Sequence, residues 1–191
     1  MDPTASPAPA PAFIDGDLFA KGLAIIRIFF GIILFANGLA KVDSDIGRID
    51  IGAYHANLIS RDGARGILNF EVNNRQIRKD APKGTEVPGL RRLVNDVVLK
   101  HWGFFGPFIT AFELVIGFSL IIGLATRLTA LINLGQQLFL AAVYFSSNRW
   151  MFEQPHEYVP LLVLALVPAG RVWGMDGWLA GRHFRFRRWP F

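Results

Sequence analysis

The sequence predicts an all-α integral membrane protein, a four-helix bundle with a long polar excursion between its first and second spans. Three observations carry this prediction. Of 191 residues, 52% are hydrophobic and only 18% charged, and the mean hydropathy is +0.33; a disordered chain is excluded and an ordinary soluble domain fits poorly. The apolar residues fall into four stretches, whereas much of the charge sits in residues 43–103. Aromatic residues make up 13%, with 17 Phe and five Trp, a bias suited to lipid-facing and interfacial surface.

Residues 1–17 form an N-terminal tail that begins MDPTASPAPAPA. It lacks the basic start and apolar run of a signal peptide. Its first 12 residues cannot bury enough apolar surface to order themselves, so order there needs a surface to lie on. The membrane domain occupies residues 18–181. Its first span is expected at 22–42, GLAIIRIFFGIILFANGLAKV, its second at 104–124, its third at 128–145 after a tight Ala-Thr-Arg connection, and its fourth at 158–173. About 20 residues at a 1.5 Å rise cross a hydrocarbon core of roughly 30 Å. The fourth span is short and holds Pro168, which a membrane helix tolerates when neighbours satisfy the freed carbonyl.

The excursion spans residues 43–103. Its first part has turn signals and no clear period. Its last part, Val87 to Trp102, places Leu90, Leu93, Val94, Val97, Val98 and His101 on one helical face. Two arrangements suit that face, a helix flat on the membrane surface or one packed on the rest of the excursion. Residues 182–191, RHFRFRRWPF, form a basic aromatic tail in which Arg182, Arg185, Arg187, Arg188 and Trp189 suit contact with a partner protein or anionic lipid.

Four spans put both termini on one side. The termini side carries Lys21, Arg127, Arg171 and the arginines of the last segment in short stretches, which predicts both termini in the cytoplasm. The net charge of +5, from 20 Lys and Arg against 15 Asp and Glu, is therefore read as membrane orientation and not as nucleic-acid binding. The chain has no Cys, which excludes disulfides, iron–sulfur clusters and thiol redox chemistry on it. No phosphate-binding loop, nucleophile elbow or Ser/His/Asp pattern is present.

Arg27 and Glu113 are the ionisable residues in the interior of the expected spans, Lys41 and Arg171 standing at span ends, and each is costly there unless paired or hydrated. Counted from the termini side, Arg27 lies roughly 7 Å deep, Glu113 roughly 16 Å, and Gln136 and Gln137 roughly 12 to 14 Å. One depth band predicts an Arg27–Glu113 pair completed by an amide. Such a group either fixes helix packing or forms a proton or quinone-headgroup site. A second polar cluster is expected near the opposite face, from Asn37, Lys41, His101, Glu153 and His156. It contains no ligand spacing diagnostic of a metal, and no metal site is assigned.

The residues in the spans resemble those of the DoxX-like family of small four-helix bacterial membrane proteins. The first span carries RIFFGIILFANGLAKV, with Arg27, Gly31, Asn37, Gly38 and Lys41 in the family's R…G…[HN]G…K pattern. The second and third carry ELVIGFSLIIGLATRLTAL, with Glu113, Gly117, Gly123, Thr126 and Arg127, and the end carries PAGRVWGMDGWL, with Gly170, Arg171 and Asp176. The long excursion and both tails depart from the family's compact form. The resemblance implies a quinone-linked membrane redox role, as in the membrane subunit of a thiosulfate:quinone oxidoreductase.

The primary expectation is an accessory or structural subunit of a larger respiratory or photosynthetic electron-transfer complex, without catalysis of its own and with other membrane subunits and lipids as partners. The alternative is a quinone-interacting subunit of a thiosulfate:quinone oxidoreductase-like enzyme. No cofactor is assigned to this chain itself; quinone, lipid or pigment are the contacts such a protein would make. A small-solute or proton carrier using Glu113 is disfavoured because the spans show no internal repeat.

Overall fold

A computed structural model of the chain describes residues 16–43, 48–74, 84–147 and 155–182. It is predominantly helical. Helix α1 (Gly16–Val42) is followed by a short antiparallel hairpin, β1 (Arg48–Ile51) and β2 (Tyr54–Asn57), paired from Arg48↔Asn57 to Ile51↔Tyr54. Then come α2 (Arg61–Asn74) and α3 (Leu90–Arg92), which continues directly as a π-helix (Leu93–Leu99). Two long helices follow, α4 (Trp102–Ile122) and α5 (Thr126–Ser146), then α6 (Pro155–Leu166), a 3-10 turn (Ala169–Arg171) and α7 (Met175–Arg182).

Helices α1, α4 and α5 are each long and apolar enough to cross a membrane. The fourth expected span differs. Helix α6 has 12 residues, about 18 Å at helical rise, and ends before Pro168, whose missing N–H and ring disfavour a continuing helix. The chain turns sharply after it. Trp173 there takes a positive φ of 51°, an uncommon conformation for a residue with a side chain.

Helix α1 packs most closely on α4, and the two run antiparallel. Small residues permit this: Gly31 lies against the backbone of Gly117 and Ile121, Gly38 against Leu114, and Gly117 against Phe35. Without a hydrophobic driving force between helices in lipid, such close backbone approach supplies the dispersion contacts that hold a pair together. The same contacts fix the register. Arg27 falls level with Gly123 and Lys41 level with Glu113, so the pair is staggered. Residues 102–112 of α4, about 16 Å of helix, extend beyond the end of α1.

Helix α5 packs mainly on α6, and Leu23 of α1 joins Ala130, Leu134, Leu161, Leu164 and Ala169 in one core between them. A second core occupies the space beside the overhanging part of α4. There Leu68 and Val72 of α2 meet Leu90, Val94 and Val98, with Trp102 and Val143. The amphipathic segment is therefore packed on α2, α4 and α5 through Leu90, Val94 and Val98. Winding with i→i+5 bonds widens each turn, so residues four apart hold one face and Leu93 and Val97 are left half-exposed on another. The hairpin and α2 lie in the part of the excursion where the sequence shows no period.

The α4–α5 turn is tight. Gly123 has φ 68°, and the N–H of Leu124 donates to the Ser119 carbonyl at 2.9 Å, closing α4 with a left-handed cap. Asp176, fully buried, accepts the N–H groups of Ala125 at 2.6 Å and Thr126 at 2.9 Å. Those are unpaired donors at the start of α5, which a carboxylate satisfies best. The segment after α6 is thus tied back to the α4–α5 turn.

Candidate functional site

The expected Arg27–Glu113 pair does not form. The stagger of α1 against α4 separates their levels by ten residues of α4, about 15 Å. Glu113 instead pairs with Lys41: Nζ donates to Oε2 at 2.7 Å, and both side chains are more than nine-tenths buried. Gln136 of α5 donates through Nε2 to the other carboxylate oxygen at 3.4 Å. Three helices thus contribute one group each to a buried polar constellation.

Lys41 had been expected in the interfacial cluster because it ends the first span. It is held inward from behind. Arg61, at the start of α2, donates Nε and Nη2 to the Lys41 carbonyl at 3.2 and 3.0 Å, which caps the last turn of α1 with a cation. Arg61 was not anticipated. Its signal would have been a basic residue opening a helix inside the excursion, but the excursion lacked a period that announced that helix.

The constellation sits at the edge of a cavity of about 460 Å³. Its apolar walls come from Phe105, Phe108, Ile109 and Phe112 of α4, from Ile67 and Leu68 of α2, and from Phe139 and Leu140 of α5, with Leu93 and Val97 of the π-helix along another side. Lys41, Glu113 and Gln136 supply converging polar groups, and Tyr144 lies farther along α5. An apolar chamber with a few converging polar groups is the usual form of a small-molecule site. Gln137, half-buried on the same helix, does not line it.

Arg27 belongs to a different place. It is fully buried, its Nη2 donates to the Trp173 carbonyl at 2.9 Å, and Asp176 acts on it electrostatically. A side chain at Gly123 or Gly174 would collide with Nη1, so both glycines make room for the guanidinium. The arrangement binds α1 to the α4–α5 turn and to the segment before α7.

The interfacial cluster is not gathered. Asn37 donates to the Ile33 carbonyl at 3.0 Å and accepts the Ile59 N–H at 3.5 Å. His101 is exposed, with Nδ1 3.0 Å from the Val97 carbonyl. His156 is exposed at the start of α6, and Glu153 lies outside the described residues. No group of three His, Asp or Glu side chains able to hold a metal occurs among the described residues. Arg182 stacks its guanidinium 3.9 Å over the Trp178 ring, a cation–π contact; Arg185, Arg187, Arg188, Trp189 and residues 1–15 lie outside the described residues, while Gly16 and Asp17 of the expected tail open α1. Comparison with known proteins finds no matching family model, no matching curated protein and no matching solved structure.

Proposed function

We propose that this chain is a four-span bacterial inner membrane protein that holds a quinone-type ligand for a larger electron-transfer complex. The observation that supports this reading is the apolar cavity edged by Lys41, Glu113 and Gln136. A quinone has carbonyl acceptors on a flat ring and an apolar tail. The Lys41 ammonium and the Gln136 amide are donors of the type its carbonyls need, and the phenylalanines of α4 suit the ring and tail. A bound quinone accepts electrons; the residues of this chain would orient its head and shield it from water. The electrons then come from a partner subunit, which joins this reading to that of an accessory subunit. Both termini face the cytoplasm, as the basic residues Lys21, Arg127 and Arg171 favour.

Purified protein in lipid nanodiscs titrated with decyl-ubiquinone, followed by quenching of tryptophan fluorescence, tests the reading. Gln136→Leu removes one donor, and loss of a hydrogen bond worth about 1 kcal/mol weakens binding by roughly fivefold. The Lys41→Met/Glu113→Gln double variant, which leaves no stranded charge, should weaken it further. Affinity unchanged in both variants would sink the proposal.

A further inference from the structure

Among the described residues, six of the buried side-chain polar atoms without a hydrogen-bond partner belong to just four residues: Arg27, Thr126, Asn133 and Gln136. Folded proteins leave few such atoms, and each one calls for an explanation. Asn133 is the sharpest case. It is fully buried, and neither its amide nitrogen nor its amide oxygen meets a protein partner.

These groups are arranged in order. Thr126, Thr129, Asn133 and Gln136 follow one another on α5 at spacings of three, four and three, which places them on one helical face. Thr126, Thr129 and Asn133 are at most 5% exposed. At one end, Thr126 adjoins Asp176 and Gly170, and Asp176 acts on the Arg27 guanidinium, whose Nε and Nη1 are also unpartnered. At the other end, Gln136 donates to Glu113 and its own carbonyl oxygen is unpartnered. The polar face thus runs about 15 Å along α5 from the Arg27–Asp176 cluster to the Lys41–Glu113 pair.

We infer that this face holds a file of buried water that carries protons between the Arg27–Asp176 end of the bundle and Glu113. Water inside a protein needs two to four polar partners. The unpartnered atoms of Arg27, Thr126, Asn133 and Gln136 supply donors and acceptors of both kinds along the path. At a hydrogen-bond length of about 2.8 Å, roughly two or three waters bridge the two turns from Thr126 to Asn133, and about one bridges the single turn from Asn133 to Gln136. In transfer, an O–H bond forms on the Glu113 carboxylate as one breaks on the adjoining water. At the other end a hydronium of bulk water beside the exposed residues Arg171, Trp173 and Met175 gives a proton to the first water of the file, one O–H bond breaking as the next forms, so no charge accumulates within it. Asp176 offsets the Arg27 charge at that entrance. The assignment of Glu113 as the receiving group rests on the ligand site proposed above, while the file itself rests on the α5 face.

The test compares the full chain with Asn133→Leu and Asn133→Ser in nanodiscs. X-ray hydroxyl-radical footprinting modifies side chains that adjoin bound water, even inside a protein. Modification between Thr129 and Leu134 should be clear in the wild type, about tenfold lower in Asn133→Leu, and recovered in Asn133→Ser, which keeps a polar group. Equal modification in all three chains would overturn the water file. An acid jump followed in the infrared then reads proton arrival at Glu113, its carboxyl band assigned by disappearance in Glu113→Gln. The band should rise about tenfold more slowly in Asn133→Leu; an equal rate, or no such band, would overturn the conducting role. Decyl-ubiquinone affinity, measured in the same variants, should be unchanged by Asn133→Leu. A lost cavity affinity and a lost file are therefore told apart.

Discussion

Glu113→Gln leaves the Lys41 ammonium buried with a neutral amide in place of its carboxylate, and the membrane interior offers little water to rescue it. Removing one partner of a buried pair costs about 3 to 5 kcal/mol, whereas replacing both by neutral groups is often close to neutral. Thermal unfolding in detergent should therefore show a large loss for Glu113→Gln and for Lys41→Met, and recovery of part of it in the double variant. Additive losses would show that the two side chains act independently. The grouping of Glu113 with Gln136 was legible in the sequence, because polar groups in an apolar run stand out. The partner was not. Depths counted from each span's own end assume that the spans share ends, and the contact of Gly31 with Gly117 and Ile121 shifts α1 along α4 instead. Asn133 stands in the same apolar run, but Gln136 and Gln137 already supplied the amide that the expected pair called for; its missing partners are what mark it.

At the scale of helices, the α1–α4 seam and the open faces respond oppositely to one added methyl group. A Cβ at Gly117 would stand 2.5 Å from the Phe35 nitrogen and 2.9 Å from the Gly31 carbonyl oxygen, distances that backbone must move to relieve. Gly117→Ala should cost about 1 to 3 kcal/mol as overpacking. Gly135, on α5, meets nothing within 4 Å, so Gly135→Ala should stabilise by roughly 0.5 to 1 kcal/mol through backbone entropy. Melting temperatures moving in the same direction for both variants would refute this account of the seam. The long helices were readable from length and apolar content. The hairpin and α2 were not, because strands of four residues are too short to show a period and α2, packed on its neighbours, needs no strong one of its own. The shortened α6 was half-readable: Pro168 was visible, but the turn that seats the Trp173 carbonyl on Arg27 depends on contacts across the fold.

For the molecule as a whole, side-specific labelling can establish topology cleanly. The chain has no Cys, so one introduced Cys is the sole reactive thiol. In intact cells a membrane-impermeant maleimide should label Asn74→Cys on the excursion, and should label Lys21→Cys only after permeabilisation. The reverse pattern would place the termini outside. The stagger of α1 against α4 has a consequence for how such a chamber can change. The cavity occupies the side of α4 that α1 does not reach, and its outer walls come from the inserted segment between them. The insert can therefore be lengthened, shortened or re-sequenced while the glycine seam keeps its register. The insert's share of the chamber wall is one continuous stretch of chain, and the glycine seam that sets the α1–α4 register lies outside it. A protein divided in this way can alter what it accommodates without renegotiating how it folds.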